Sequence, residues 1–426
     1  MTKYLKDAVK YSNKRISADK ITLENYVTTD NLIQNKQGKT MVESLPPNNG
    51  NVTAYDEGDI LISNIRPYLK KLWFANQSGG SSADVLTFKV KQGFEPKFIY
   101  YSVFRDVFFD HMMNGSKGTK MPRGDKNQVL DFPIPNFPLS TQKAIAKVLS
   151  DLDTKIELNN RINRELEAMA KTLYNYWFVQ FDFPNEQGKP YKSSGGKMVY
   201  NKELKREIPE GWEVKKLSDI ATTGSGGTPL STKKEYYENG NIPWINSGEV
   251  NMPFIVSTKN YITQKGLENS SAKMFNRGTI LMAMYGATAG KVSFMDIEAC
   301  TNQAICAINP KEDFHRIYIK LVLEDLYKYL INLSSGSARD NLSQDKIREL
   351  KFVIPSKSII QKFDKIVQSS MNKILINLKQ NEKLSELRDW LLPMLMNGQV
   401  TVTEAEESLS MAAEPSVEYN NTPVRI

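Results

Sequence analysis

The strongest hydrophobic pattern in the chain runs from Gln142 to Phe178, where apolar side chains recur at intervals of three and four residues. This spacing is typical of an amphipathic α-helix, because it places the apolar positions on one face. At 1.5 Å per residue the helix would be about 55 Å long, several times the usual length in globular proteins. The pattern therefore predicts a helix that serves as a spacer as well as a core element. Its apolar positions are Ile145, Leu149, Leu152, Ile156, Ile162, Leu166, Met169, Leu173 and Tyr176.

A second helix of the same design is predicted from Gln361 to Met396, and its residues match the first helix at a constant displacement of about 218 positions. A repeat of this length indicates that the protein is built twice. The matches are Lys155-Ile156 with Lys373-Ile374, Asn159 with Asn377, Asn163 with Asn381, Leu166 with Leu384, and Leu173 with Leu391. The residues expected to pair the two helices are Leu152, Ile156, Leu166, Leu173, Ile374, Leu384 and Leu391 together with the four asparagines.

The asparagines at 159, 163, 377 and 381 interrupt the apolar stripe of each helix. A buried asparagine in a helix seam fixes the register of pairing at some cost in stability. If the helices pack antiparallel, the four amides meet near the crossing. The alternative is that the stripe drifts around the helix and the amides face solvent, and the pattern favours neither.

The block before the first long helix carries short strand patterns at 60–62, 72–74 and 85–90, followed by a predicted helix from Pro96 to Met113. In the third strand Leu86, Phe88 and Val90 alternate with polar Thr87 and Lys89, the pattern of a half-buried strand. Strands followed by helices indicate an α+β fold.

The block from Trp212 to Pro355 repeats this plan at a displacement of 220. Between the blocks, 184–211 is rich in Gly, Pro and Lys and is predicted to be an ordered, irregular connector. The matched blocks differ in their loops: 65–71 is Ile-Arg-Pro-Tyr-Leu-Lys-Lys, whereas 285–291 is Tyr-Gly-Ala-Thr-Ala-Gly-Lys. Two copies of one scaffold with different loops predict a protein that recognises two non-identical half-sites.

The net charge of the chain indicates which class of partner it could bind. The net charge is +8, but residues 401–426 hold five glutamates and one arginine, so the remainder carries +12. A basic body suits a polyanion such as nucleic acid, although a solvated lysine-rich surface explains the charge equally well. The acidic tail lacks periodicity and is expected to be disordered.

Several chemistries and locations are disfavoured by composition. The two cysteines, Cys300 and Cys306, lie too far apart along a predicted strand to bridge, and only two histidines occur, so no zinc site is expected. No apolar run approaches the roughly 18 residues of a membrane span. We therefore expect a cytoplasmic protein without metal or membrane contact.

No segment argues for catalysis. Gly286 to Lys291 resembles a phosphate-binding loop but has three residues between its glycines and Val292 after the lysine, so a turn near a phosphate or base, or a tight hairpin without ligand, is favoured. Asp340, Glu349 and Lys351 resemble a nuclease set, yet a solvated face explains them better. No methyltransferase catalytic loop or activated serine is present.

The variable loops are rich in groups that suit DNA. Amides and guanidiniums bond bidentately to base edges, while hydroxyls, lysines and close-approaching glycines suit phosphates. The candidate contacts in the first block are Asn64, Arg66, Lys70, Lys71, Ser82, Lys117, Lys120 and Arg123. Those in the second block are Gly226, Gly227, Thr228, Ser231, Lys233, Asn246, Ser247, Tyr285, Thr288, Lys291, Asn302, Gln303 and Arg339.

Taken in order, these motifs resemble the DNA specificity subunit of a type I restriction-modification system over the whole chain except its tail. The residues that carry the resemblance are Ile208-Pro209-Glu210-Gly211-Trp212, Gly226-Gly227-Thr228-Pro229, Ile242-Pro243-Trp244-Ile245, Gly286-Ala287-Thr288-Ala289-Gly290-Lys291, Thr301-Asn302-Gln303, and the helices entered through Ile134-Pro135 and Ile354-Pro355. The first block departs from the pattern, because it lacks Gly-Gly-Thr-Pro and has Arg66-Pro67-Tyr68 in place of the Gly-rich turn.

The resemblance implies two pseudo-repeated α/β target recognition domains separated by two long antiparallel coiled-coil helices. The implied domains are recognition domain 1 at 1–141, the central helix at 142–182, a connector at 183–211, recognition domain 2 at 212–356, the distal helix at 357–400 and the tail at 401–426. DNA contacts would come from the 58–90 sheet and the 114–124 loop in the first domain, and from 224–234, 285–291 and 301–303 in the second.

By the same resemblance, the chain is non-catalytic, recognises an asymmetric two-part sequence in double-stranded DNA and docks two methyltransferase subunits. Whether two restriction subunits also join is left open. S-adenosylmethionine, ATP and magnesium are expected on the partner subunits and no cofactor on this chain. The alternative function is a helical assembly protein with two protein-binding heads and no DNA specificity, and a third is a self-contained nuclease or methyltransferase.

Overall fold

The computed structural model describes residues 3–46, 50–118, 120–334 and 342–413. Contacts between residues divide the chain into two compact units. Unit 1 contains the described parts of Met1–Glu157 and Asn381–Val417, and unit 2 contains those of Leu158–Gln380. We call the part of the described chain before the first long helix (residues 3–138) the first head, and the part from 212 to 356 the second head.

The first head contains two four-stranded sheets. Their strand orders are β2-β9-β6-β7 and β3-β5-β8-β4, and β4 and β8 are their only parallel neighbours within the described residues. The elements up to the end of the first long helix are β1 (Lys3–Tyr4), α1 (Leu5–Ala8), β2 (Val9–Tyr11), β3 (Arg15–Ser17), β4 (Tyr26–Val27), β5 (Asn51–Tyr55), β6 (Ile60–Ser63), β7 (Leu72–Phe74), β8 (Gly79–Ser81), β9 (Val85–Val90), α2 (Pro96–Phe104), α3 (Asp106–Asn114), α4 (Lys126–Leu130), β10 (Pro133–Ile134) and α5 (Leu139–Tyr174).

Two predictions for the first head need correction. Strand β9 is not half exposed: Thr87 is only 3% exposed, and its hydroxyl lies 3.0 Å from that of Ser81, because the second sheet covers this face. The helix predicted from Pro96 to Met113 is two helices, since Arg105 between them has an extended backbone.

The second head repeats the first. Strands β14-β22-β19-β20 follow the order of β2-β9-β6-β7, and the pairs β6/β19 and β9/β22 begin 220 residues apart. In the other sheets β15 runs parallel to β21, as β4 does to β8. The remaining elements are β11 (Met198–Asn201), β12 (Arg206–Pro209), β13 (Glu213–Lys216), α6 (Leu217–Ile220), β14 (Ala221–Ser225), β15 (Ile242–Ile245), β16 (Phe254–Ile255), β17 (Tyr261–Ile262), α7 (Gln264–Glu268), β18 (Met274–Phe275), β19 (Ile280–Ala283), β20 (Val292–Met295), β21 (Ala299–Thr301), β22 (Ile305–Pro310), α8 (Arg316–Asp325), α9 (Tyr327–Ser334), α10 (Gln344–Arg348), β23 (Lys351–Ile354), α11 (Lys357–Asn397) and α12 (Val402–Ala413).

The two long helices lie where their apolar period predicts them. Helix α5 begins three residues before the predicted start and continues as a π-helical turn over Asn175–Val179. Helix α11 extends slightly beyond the prediction at both ends. Each helix contributes residues to both compact units. No helix in the described ranges is long and apolar enough to cross a membrane.

The connector is more regular than predicted. Strands β11 and β12 form an antiparallel hairpin within it, and Phe183 stacks against Tyr191 and Trp212 with ring centroids 4.6 and 4.9 Å away. These aromatic contacts and the hairpin ladder order a segment whose Gly and Pro content predicts irregular structure.

The tail also contains structure that was not predicted. Residues Val402–Ala413 form α12, and Ala405 is buried in the core of unit 1. Thr401 and Glu404 form a reciprocal capping box: the Thr401 amide donates to the Glu404 carboxylate at 2.7 Å, and the Glu404 amide donates to the Thr401 hydroxyl at 3.3 Å. This box stabilises the helix start, so the expectation of disorder is wrong for 402–413. Residues 414–426 lie outside the described residues.

Candidate nucleic-acid interface

The predicted contacts of the first head meet at the turn that joins β6 to β7. The Arg66 amide donates to the Pro122 carbonyl at 2.8 Å, and Ile65 pairs with Arg123 in an antiparallel bridge. Lys117 and Arg123 close the neighbouring loop through two backbone hydrogen bonds of 3.0 Å. The 66–71 turn and the 117–123 loop therefore form one surface.

Ion pairs divide the cations of this surface into two groups. Lys70 lies 2.8 Å from Asp106, Arg123 lies 2.9 Å from Asp84, and Lys117 lies 3.5 Å from Asp125. Within the described residues, Arg66 and Lys120 form no ion pair. The first group thus has nearby carboxylates that compensate part of its charge, whereas Arg66 and Lys120 have none among the described residues and are the cations most available to a polyanion.

Two lysines near the turn have their ammonium groups directed at the protein. Lys71 donates to the Thr29 carbonyl at 2.6 Å, and burial lowers its pKa, an effect that Asp30 opposes and Arg66 increases. Lys36, which was not predicted, shares Asp106 with Lys70 at 2.8 Å. These contacts fix the turn. Because Lys36 and Lys70 share the one carboxylate of Asp106, the three groups together keep one positive charge.

Two further candidates lie lower in the first head. Asn64 is only 4% exposed, its backbone amide donates to the Asp84 carbonyl, and its backbone carbonyl accepts from the Gly124 amide. Ser82 is half-buried, and its amide donates to the Val27 carbonyl. Asn64 thus packs beneath the surface formed by the 66–71 turn and the 117–123 loop and is too buried to contact a ligand directly.

In the second head, the Gly-Gly-Thr segment packs against the Thr301-Asn302-Gln303 segment. The Gly227 amide donates to the Thr301 carbonyl at 2.9 Å, and the Thr228 hydroxyl donates to the Gln303 side chain at 2.6 Å. A Cβ atom at Gly226 would lie 1.9 Å from the Thr301 carbonyl oxygen, so only glycine fits. Thr228 and Gln303 are exposed and form a single polar pair at the surface.

Two more segments join this pair. The backbone amide of Asn302 donates to the Ile245 carbonyl at 3.0 Å, and this bond places Asn246 and Ser247 beside Asn302. The Thr288 hydroxyl donates to the Ser247 carbonyl at 2.8 Å and brings in the turn between β19 and β20. The predicted residues of 226–228, 246–247, 285–291 and 302–303 thus come together in one region, in which Gly226 and Gly227 are buried beneath the others.

The remaining candidates of the second head differ in how far their side chains are exposed or already hydrogen-bonded within the protein. The side chains of Asn246 and Asn302 accept from nearby backbone amides of Gly248 and Ala304. Ser231 is exposed, and the Lys233 ammonium donates to the Tyr236 hydroxyl at 3.1 Å. Tyr285 packs partly against the core. Arg339 lies outside the described residues.

The turns at the two surfaces share several backbone features, which the sequences do not suggest. Gly286 and Gly290 have positive φ of 76° and 77°, and their counterparts 220 residues earlier, Arg66 and Lys70, both have φ of 51°. Hydrogen bonds join residues 69 to 66 and 289 to 286 in both turns, and 63 to 71 and 283 to 291 at their bases. The first head therefore departs from the Gly-rich pattern in its side chains and keeps much of its backbone.

Tyr68 is a surface residue that was not predicted as a contact. It lies at the apex of the first turn and is 50% exposed. Its counterpart at the displacement of 220 is Thr288, which was predicted. Aligning the two blocks residue by residue would have identified Tyr68.

The asparagines of the long helices are buried and pair across the helices. The Asn377 amide donates to the Asn163 side-chain oxygen at 2.8 Å, and the Asn159 amide donates to Gln380 at 2.9 Å. Residue numbers rise along one helix as they fall along the other, so the helices run antiparallel within unit 2. All four asparagines are buried, which excludes the solvent-facing alternative.

The apolar pairing residues lie in the cores of the two units. Leu166, Leu173 and Ile374 pack in unit 2. Leu152, Ile156, Leu384 and Leu391 pack in unit 1. In unit 1 the Arg388 guanidinium also lies 2.7 Å from Asp153 of the other helix. Helix pairing thus occurs within both units.

The carboxylates of the nuclease-like set have structural partners. Glu349 lies 2.6 Å from Lys216, and Lys351 lies 2.7 Å from Glu203. Asp340 lies outside the described residues. The described members of the set thus form surface ion pairs with other elements.

Comparison with known proteins agrees with this architecture. The chain is 29% identical over 319 residues to the type I restriction enzyme MjaIX specificity subunit of Methanocaldococcus jannaschii, a match that covers 74% of this chain and 71% of the relative. It is 28% identical over 406 residues to the type I restriction enzyme HindI specificity subunit of Haemophilus influenzae, covering 82% and 87%.

A solved structure shares the fold. The crystal structure of the type I restriction-modification S subunit from M. genitalium matches with a TM-score of 0.57 at 17% identity, and the match covers 93% of this chain and 96% of that one. The family model described as the type I restriction modification DNA specificity domain matches residues 1–168 and 209–387, which include both heads and most of both long helices. The chain therefore belongs to the family of type I restriction-modification DNA specificity proteins.

Proposed function

We propose that this chain is the specificity subunit of a type I restriction-modification complex and that each head recognises one half of a two-part target in double-stranded DNA. The observation that carries the proposal is the duplicated head, which presents different side chains on turns at corresponding positions of the same strands. One scaffold used twice gives two binding surfaces of the same general geometry. Different side chains on those surfaces give an asymmetric target.

The paired helices give the proposal its second part. The long helices pair antiparallel within each unit, and two methyltransferase subunits would dock on them. Whether restriction subunits join the complex is a separate question. S-adenosylmethionine, ATP and magnesium would be bound by those partners. This chain supplies DNA recognition and no catalytic step.

The proposal is tested by selecting DNA from a random library with the complex of this chain and its methyltransferase subunits. We expect two specified blocks of bases separated by a gap of fixed length and unspecified sequence. A single continuous motif, or no enrichment, would contradict the proposal.

The salt dependence of DNA binding distinguishes the proposed function from the assembly-protein alternative. Several phosphate contacts predict that affinity falls steeply and linearly with salt concentration on logarithmic axes. A scaffold without DNA specificity would show neither sequence selection nor this dependence. Methylation or cleavage of DNA by the purified chain alone would instead indicate a self-contained enzyme.

A further inference from the structure

The 66–71 turn holds two side chains in a backbone conformation that favours glycine. Arg66 and Lys70 have φ of 51°, and the corresponding residues of the second head are Gly286 and Gly290. For a residue with a Cβ atom the left-handed region is unfavourable, so such positions are usually occupied by glycine. Strained residues of this kind cluster at functional sites. A side chain kept at this cost calls for a specific explanation at each of the two positions.

For Lys70 the structure supplies that explanation. Its ammonium lies 2.8 Å from Asp106, which also pairs with Lys36 at 2.8 Å, and the Lys36 amide donates to the Lys70 carbonyl. Lys70 therefore ties the turn to helix α3 and to the 33–38 loop. Its strain is offset by structural contacts.

Arg66 has no equivalent contact. Its side chain is exposed, and its guanidinium forms no ion pair within the described part of the chain. Its backbone, in contrast, is held firmly: its amide donates to the Pro122 carbonyl, its carbonyl accepts from Leu69, and Pro67 restricts the next φ. The turn thus fixes the backbone of Arg66, while its guanidinium has no ion-pair partner among the described residues.

The chemistry of the guanidinium identifies the partner. Arginine bonds bidentately to the O6 and N7 of guanine, the commonest specific contact in the major groove. Lys120, in the adjacent 117–123 loop, is a compact charge that suits a phosphate. We propose that Arg66 determines a guanine in the half of the target recognised by the first head. This inference rests on the proposed function and names one base of its target.

The second head differs from the first at the position of Arg66. At the position of Arg66 it has Gly286, which offers only its backbone, and its turn presents Thr288 and Lys291. At this position of the turn, a guanine contact of this type is therefore available to the first head and not to the second. The inference also explains why the first head tolerates arginine where glycine is favoured.

The test compares four complexes with the methyltransferase subunits in the same random-library selection: wild type, Arg66→Gly, Arg66→Lys and Lys120→Ala. We expect Arg66→Gly to reduce the preference for one G·C pair about 10-fold or more, within one half-site, while the other half-site is unchanged. Arg66→Lys should weaken the same preference and keep the salt dependence, since it retains the charge without the planar pair of donors of the guanidinium. Lys120→Ala should weaken binding to all sequences alike and reduce the salt slope by about one.

Arg66→Gly is not expected to unfold the first head, because glycine favours the φ found there. Its thermal unfolding midpoint should equal or exceed that of wild type. If Arg66→Gly weakened binding equally for all sequences, or left the selected sequence unchanged, the inference would be overturned while the proposed function stood. If wild type itself selected no two-part target, the proposed function would fail.

Discussion

Asp364 is a half-buried carboxyl group on α11, and one of its oxygens is buried with no hydrogen-bond partner in the described structure. Burial raises its pKa to about 6, while Arg316 lowers it and Asp313 raises it further. The incomplete pairing of this carboxylate makes it a source of pH-dependent instability in unit 2.

The raised pKa determines the direction of the pH dependence. An unfolded aspartate has a pKa of about 3.9, so between pH 4 and pH 6 the folded state binds more protons than the unfolded state. The free energy of unfolding therefore falls as the pH rises through this window. Above pH 6 we expect Asp364→Asn to be more stable than wild type by about 1–2 kcal/mol, less than the full pKa shift implies because solvent screens this partly exposed carboxylate, and near pH 4 equal to it. Urea denaturation of both proteins from pH 4 to 8 measures this, and parallel curves would contradict it.

At the residue scale, sequence reasoning located both candidate surfaces but could not rank their members. Gly286 and Gly290 indicate a positive φ in the second turn, because glycine favours that conformation. The sequence Arg-Pro-Tyr-Leu-Lys of the first turn does not indicate that Arg66 and Lys70 also have a positive φ. The carboxylates that neutralise Lys70 and Arg123 come from distant positions, Asp106 and Asp84, so only the folded chain reveals them. Burial of Asn64 likewise depends on a loop that begins some 50 residues later.

Among the elements, the long helices are the clearest case of a fold determined by periodicity. Their apolar stripe alone predicts their existence and approximate ends, because no tertiary contact is needed to produce the period. The start of helix α12 has a sequence signal, because Thr401-Val402-Thr403-Glu404 is a capping-box sequence, but the acidic composition that follows it is typical of disorder. Strands of two residues such as β4 and β16 have no detectable period, and only their partners in the sheet define them.

The buried Asn163–Asn377 pair tests how the helices hold their register. One hydrogen bond of 2.8 Å joins the two amides, while the Asn163 nitrogen and the Asn377 oxygen that remain have no partner in the described chain. Asn163→Leu alone should destabilise the protein by about 1–3 kcal/mol, because it leaves a buried amide unpaired. The double variant Asn163→Leu/Asn377→Leu should recover that loss, since both polar groups are removed together.

Chemical denaturation of Asn163→Leu, Asn377→Leu and the double variant measures these values. Asp151→Ala serves as a control on the same helix, because it removes an exposed ion pair with Lys147 and should change stability by less than about 0.5 kcal/mol. Losses from the two asparagine substitutions that simply add would show that the amides do not act as a pair.

For the whole molecule, the duplication was visible in the sequence and the sheet pairing was not. Framework residues such as Gly58 and Gly278 keep a displacement of 220, so the repeat can be detected by comparing the chain with itself. The order of the strands depends on contacts far apart in sequence, and the extra strand β16 of the second head has no counterpart among the described strands of the first. The account therefore rests on two equivalent heads joined by helices of defined length.

The most direct test of this account changes the helices and leaves both heads intact. Four residues are inserted into α5 after Asn159 and four into α11 before Gln380, which lengthens each helix by about 6 Å, or one to two base pairs of DNA. In library selection with the methyltransferase subunits, we predict the same two half-sites with a gap that is longer by one or two base pairs. A change in the sequence of either half-site, or an unchanged gap, would contradict the claim that the paired helices set the spacing between two independent recognition heads.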